Sequence, residues 1–240
     1  PIVLVFAYGF KPKDKPTRTE SGNNGNNQYR ILSNPNQVAA VDSKKLDANQ
    51  ISTWFRTNGS FNRNPSTGDP GFEWPKGQSK FSRYASGIWI GAVVGGDTLL
   101  CIAEFDYEYL PGYVDDNGNP QGKDDPNYRI YDISATDTSD YGAWRSIASQ
   151  QGAYLDSLGN PLLLGSQTQF YSYTDGYPEA HGNRAGQTAP LKAVILQTNW
   201  SYAVNGPLSS MSFSEFRIIN RHNLPWTQCY IAVWTDDDVG

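Results

Sequence analysis

The sequence predicts an all-β protein, an antiparallel β-sandwich or jelly-roll-like fold with one short helix, on three observations. Fifteen Tyr, seven Trp and ten Phe supply most of the bulky apolar surface while Met occurs once, and aromatic and β-branched side chains suit a pleated surface. Twenty-three Gly and fifteen Pro, with abundant Asn, supply turns. Apolar residues alternate with polar ones over short runs, whereas helical spacing occurs once.

In chain order, short strands are expected at 28–32, 37–41 and 50–56. A loop over 57–80 is punctuated by Asn58-Gly59, Pro65, Pro70-Gly71 and Pro75. Strong strand signals follow at 82–94, 98–109 and 128–133, the first two joined by a Gly95-Gly96-Asp97 hairpin turn. The helix is expected over 139–150, with Ser139 or Asp140 as cap and Tyr141, Trp144, Ile147 and Ala148 on one face. Three strands at 190–204, 208–220 and 228–235 close the chain. In the first of these, Val194, Leu196, Trp200 and Tyr202 alternate with more polar neighbours. About ten short strands with one helix point to a sandwich. Tyr113 to Pro120 echoes Tyr154 to Pro161; both read as turns in which Asp starts the turn, Gly supplies positive φ and Pro ends pairing.

The first seven residues are apolar, Pro1 to Ala7, and residues 8–27 turn abruptly polar. Residues 1–7 read as the end of a signal peptide cleaved after Ala7, with an edge strand as the alternative. Residues 8–27 read as a flexible leader, and 28–240 as a single β-sandwich-like domain continuing beyond Gly240 in a longer polypeptide. The protein is therefore expected outside its cell or on the outer surface.

A net charge of −5 with scattered basic residues argues against nucleic acid as a partner. Cys101 and Cys229 lie in apolar runs and are compatible with one disulfide or with two buried thiols. Two His and no Cys pair at ligand spacing argue against zinc. Neither a Gly-x-Ser-x-Gly elbow nor a phosphate loop is present.

Five groups of residues carry potential chemistry. In Glu104-Phe-Asp106-Tyr-Glu108, a continuous strand would put the three acids on one side and Phe105, Tyr107 and Tyr109 on the other. The pattern resembles the E-x-D-x-E strand of laminarinase-like jelly-roll glycoside hydrolases. That resemblance implies Glu104 as nucleophile, Asp106 as its tuning partner and Glu108 as acid/base. The aromatics at 105 and 107 depart from the aliphatics of that motif. Residues four apart on a strand are also about 13 Å apart, against about 5–5.5 Å between retaining carboxyls.

At the other end of the chain, Asp236 and Asp238 alternate where a strand leaves the sheet, which suits Ca²⁺; the alternative is an exposed acidic turn. Asp115, Asn117 and Asn119 have alternating oxygens but Pro120 where a calcium loop needs Gly. Asp175, Glu179 and His181 share a Gly/Pro-rich loop. Finally, Trp54, Trp74, Trp89, Trp144, Trp200, Trp226 and Trp234 include candidates for a polysaccharide-stacking platform, with core packing as the alternative.

From Asn49 onward, the stretches Ile51 to Gly59, Tyr84 to Ala92, Tyr173 to Gly182 and Phe216 to Gly240 resemble large exported bacterial proteins of the type IX secretion kind. That resemblance implies secretion or surface attachment and no particular reaction. The expected function is a non-catalytic extracellular module, calcium-stabilised in one version. A jelly-roll glycosidase and a carbohydrate-binding module are the alternatives.

Overall fold

The structure, a computed structural model, describes residues 2–9, 41–104, 107–182 and 187–237. In chain order its strands are β1 (Ile2–Gly9), β2 (Ser43–Leu46), β3 (Thr53–Arg56), β4 (Ser60–Phe61), β5 (Phe72–Glu73), β6 (Phe81–Arg83), β7 (Ala85–Val94) and β8 (Asp97–Ile102). The short strands β9 (Leu110–Pro111), β10 (Tyr113–Val114) and β11 (Pro120–Gln121) lead to β12 (Tyr131–Ser134). After the helix come β13 (Gln167–Thr174), β14 (Ala193–Ser201), β15 (Met211–Asn220) and β16 (Thr227–Asp236).

Two antiparallel six-stranded sheets carry the fold. The first runs β1-β15-β14-β13-β12, with β9 beside β12 on the free edge of β13; the second runs β16-β7-β4-β3-β2, with β8 sharing an edge of β7 with β4. Their facing sides enclose the main core. Phe55, Phe61, Ile88, Ile90 and Cys101 of the second sheet meet Tyr171, Tyr173, Ile195, Phe216 and Ile218 of the first. The Phe55 and Phe61 rings stack 5.6 Å apart, and each buried side chain of this size contributes roughly 1.5–3 kcal/mol. The expected all-β sandwich is therefore present.

Local chemistry explains several elements. Val94 pairs with Asp97 across the expected turn, where Gly95 and Gly96 have φ of 63° and 100°, the left-handed values that a two-residue hairpin requires. The two echo segments adopt one turn. Asp115 Oδ1 accepts from the amides of Asn117 and Asn119 at 3.0 and 2.8 Å, and Asp156 Oδ1 accepts from those of Leu158 and Asn160, both at 2.8 Å. The Asp115 carboxylate is thus committed to its own loop, as a tight turn demands.

The helix has three parts, α1 (Tyr141–Ala143), a π turn (Trp144–Ala148) and α2 (Ser149–Gln151). It lays Trp144 and Ala148 on the outer face of the first sheet, against Tyr131, Phe170, Val194 and Leu196. The first sheet is thereby covered on both sides, which is why every residue of β13 is buried.

Three expectations need correction or placement. The predicted strand over 98–109 ends at Ile102, because Ala103 bridges back to Tyr107 and the chain reverses. Residues 2–9 lie as an edge strand, Ile2 opposite Ile218 and Gly9 opposite Met211; their apolar β-forming residues suit a strand as well as a signal peptide. The expected strands at 28–32 and 37–40, and the leader over 10–27, fall outside the described residues. No helix among the described residues is long and apolar enough to cross a membrane.

Candidate functional site

The reversal at Ala103 dismantles the acidic face. Alternation aligns Glu104, Asp106 and Glu108 only on a continuous strand, and the chain leaves the strand before the first of them. Glu104 sits half-buried in a bend, and Asp106 lies outside the described residues. Glu108 is 0 % exposed: its amide donates to Ile102 O at 2.9 Å, and its Oε2 accepts from Ile102 N at 3.1 Å. The charge of Glu104 still reaches Glu108 and adds to the rise in its pKa that burial causes.

Glu108 instead joins a buried centre drawn from three parts of the chain. Asp175, at the exit of β13, accepts from the Leu191 and Ala193 amides at 2.6 Å each and so holds the start of β14. A 3₁₀ turn over Pro178–Ala180 carries His181 back over Asp175. His181 Nε2 lies 2.9 Å from the Asp175 carbonyl oxygen and 3.3 Å from Oδ2, while Nδ1 lies 3.8 Å from Glu108 Oε2. Burial opposes protonation of His181, but the hydrogen bond and charge of Asp175 and the charge of Glu108 outweigh it, lifting its pKa above 6.5. Burial raises the Glu108 pKa. It also pushes the Cys101 thiol well up, with the Asp175 charge adding to the effect.

Cys101 Sγ lies 3.1 Å from the Tyr109 hydroxyl. A thiol held neutral and fully buried is an inert core group, since the thiolate is the nucleophile. The centre is suited to pinning β13, β14 and the 107–109 segment together. Of the loop acids, Asp175 alone joins His181; Glu179 points away and pairs with Lys123 at 2.6 Å. The loop signalled the Asp175–His181 half; Glu108 stood out only as part of the acidic run, and nothing in the sequence linked it to His181, 73 residues later.

At the other end of the second sheet, Asp236 lies in β16 opposite Ala85, and Asp238 falls outside the described residues. Between them Asp237 pairs with Arg83 at 3.1 Å and accepts from Thr235 Oγ1 at 2.9 Å. Part of the acidic charge is thus met by a guanidinium. Among the described residues no three His, Cys, Asp or Glu side chains are arranged so as to hold a metal ion. Cys101 and Cys229 are free thiols. Their strands flank β7, whose Ile90 pairs with both Cys101 and Ile231. Two strand spacings, roughly 10 Å, exceed the reach of a disulfide.

None of the seven tryptophans is exposed; Trp144 is buried and the other six are half-buried. Half-buried indoles are in keeping with the core-packing alternative more than with an open stacking face. A concave surface furnished for a ligand lies elsewhere, on the outer face of the first sheet. It is a groove of about 540 Å³, inside the range of roughly 300–1,000 Å³ usual for ligand sites. Ser172, Val194, Leu196 and Ile219 form its floor, the helix adds Ile147, Gln150 and Gln151, and the opposite wall is Tyr113 with Asp125, Asn127 and Tyr128.

The turn at Asp115 positions Tyr113, which stacks on Tyr128 with centroids 5.6 Å apart and planes at 23°. Tyr128 fits because residue 122 is glycine, where a Cβ would stand 2.7 Å from the ring. Two polar atoms of this groove, Ser172 Oγ and Gln151 Oε1, are buried without a hydrogen-bond partner. A buried serine in an aromatic-rich segment carries no sequence signal of such a role. No protein-family model matches this chain, and neither the curated proteins nor the solved structures compared with it give a match.

Proposed function

We propose that this chain is a non-catalytic extracellular β-sandwich module of a larger exported protein, and that it acts by binding a ligand in the groove beside Tyr113. The observation that carries this reading is the pair of unpartnered buried atoms, Ser172 Oγ and Gln151 Oε1, in a groove with an exposed aromatic wall. Each unsatisfied buried polar group costs about 1–3 kcal/mol, a cost that a ligand removes by displacing the groups that cover these two atoms and hydrogen-bonding there. The non-catalytic half is supported by Glu108, whose carboxylate is fully buried and faces His181 at 3.8 Å, away from solvent and from any substrate in it. Export is supported by the aromatic, Asn- and Gly-rich composition and by the resemblance described above.

The test is a panel of soluble polysaccharides assayed in parallel for reducing-end release and for retardation in affinity electrophoresis. Retardation without release is the expected result. Hydrolysis of a β-glucan that disappears in Glu104→Gln or Glu108→Gln would overturn the reading in favour of a glycosidase.

A further inference from the structure

We propose that the groove on the outer face of the first sheet is a binding site for a neutral oligosaccharide, with Tyr113 as stacking platform and Ser172 and Gln151 as partners for ring hydroxyls. This rests on the binding role proposed above and names the ligand class.

A pyranose presents an apolar C–H face and a rim of hydroxyls that both donate and accept. The groove offers a counterpart to each. Tyr113 is 38 % exposed, and its stacking on Tyr128 fixes the ring before a ligand arrives, so little side-chain freedom is lost on binding. Beneath it, Ser172 is 1 % exposed with an unpartnered hydroxyl, able to donate and accept.

Gln151 narrows the choice further. Its Nε2 is committed to Asn127 O at 2.8 Å, which leaves Oε1 as an acceptor in need of a donor. Hydroxyl groups are donors, whereas carboxylates and phosphates with all oxygens ionised are not. Charge points the same way. The groove holds one carboxylate, Asp125, and one guanidinium, Arg221; Arg221 is already paired with Asp116 at 3.1 Å. An anionic ligand would therefore meet Asp125 without an uncommitted cation to offset it.

The experiment is isothermal titration of the full chain with cello-, xylo-, manno- and laminari-oligosaccharides, with an oligogalacturonate as the charged comparison. One neutral series is expected to bind saturably and with little sensitivity to added salt. Tyr113→Ala should weaken binding about tenfold, Tyr113→Phe should retain it, and Ser172→Val should weaken it by filling the floor. Thermal melting of each variant establishes that it is folded. Binding unchanged in both Tyr113→Ala and Ser172→Val would overturn the site, as would binding of the oligogalacturonate alone or of none of the oligosaccharides. Reducing-end release in the same samples would overturn the non-catalytic reading and leave the groove standing; absence of both binding and release overturns the groove proposal alone.

Discussion

Asp140 and Glu108 are both carboxylates withdrawn from water, yet burial acts on them with opposite outcomes. Asp140 precedes the helix and is 8 % exposed. Arg129 grips it with two nitrogens at 3.0 and 2.5 Å, Lys44 reaches it at 3.2 Å, and the Asp132 amide donates at 2.9 Å. Burial alone would raise its pKa, but these donors outweigh burial and hold it down to about 2. Glu108 receives one amide and faces an imidazole at 3.8 Å, so burial wins and its pKa rises. The difference lies in permanent cations at hydrogen-bond distance, against a partner that can itself lose its charge.

The largest expected effect breaks the second centre at its anchor. Asp175→Ala removes the acceptor for the Leu191 and Ala193 amides and the partner of His181. It should cost roughly 3–5 kcal/mol by urea unfolding, the range for leaving buried charged and hydrogen-bonding groups unpaired. A loss below about 1 kcal/mol, the worth of an exposed pair, would mean that the centre is not a pin.

A pH profile of stability sharpens the comparison. The folded pKa of Asp140, about 2, lies below its ordinary 3.8. Its contribution is therefore present above about pH 4 and lost as pH falls towards 2. The depression corresponds to about 2 kcal/mol, reduced somewhat because Lys44 and Arg129 are one-third solvent-facing. The other centre slopes the opposite way. The folded pKa of His181 is raised above 6.5, so its contribution is complete below about pH 6.5 and is lost as pH rises through the folded value. Glu108, also raised, adds stability on the acid side that fades as pH climbs above about 4.5. Denaturant midpoints should fall on the alkaline side in the parent chain and flatten in His181→Gln, while Asp140→Asn should flatten only the acid limb. An alkaline limb unchanged in His181→Gln would disprove the assignment.

The smallest effect is expected from calcium. The Arg83–Asp237 pair already offsets part of the charge at the end of β16. Millimolar Ca²⁺ should therefore shift Tm of this chain by less than about 2–4 °C, the equivalent of roughly 1 kcal/mol at this size. A larger rise, removed by Asp236→Asn with Asp238→Asn, would establish the calcium site that the acidic alternation suggests.

Elements governed by local chemistry were legible in the sequence. The Gly95-Gly96 hairpin, the helix with Trp144 and Ala148 inward, and the paired Asp turns follow from backbone conformations that their own residues favour. Strand β13 was not legible. Gln167 to Thr174 contains no aliphatic residue, yet it sits at the centre of the first sheet and is buried throughout. The acidic run misled for the converse reason, since its alternation is strand-like and only the pairing of Ala103 with Tyr107 turns the chain. Of the groove, the sequence singled out the Tyr113 turn. Ser172 and Gln151 meet there only because β13 and the helix pack together.

By itself the sequence determined the all-β class, the Gly95-Gly96 and Asp-initiated turns and the single helix, because these depend on neighbours a few residues apart. Tertiary structure decided which faces are buried. In β14, Val194 and Leu196 pack outward against the helix, while Gln197 and Asn199 are 0 % exposed on the opposite face. Those two amides are tolerated there because the Tyr173 hydroxyl donates to Gln197 Oε1 at 2.9 Å, Gln197 Nε2 to Asn199 Oδ1 at 2.9 Å and Ser214 Oγ to Asn199 Oδ1 at 2.7 Å. Polar groups can be buried when partners from neighbouring strands satisfy them, and only the assembled sheet places those partners together.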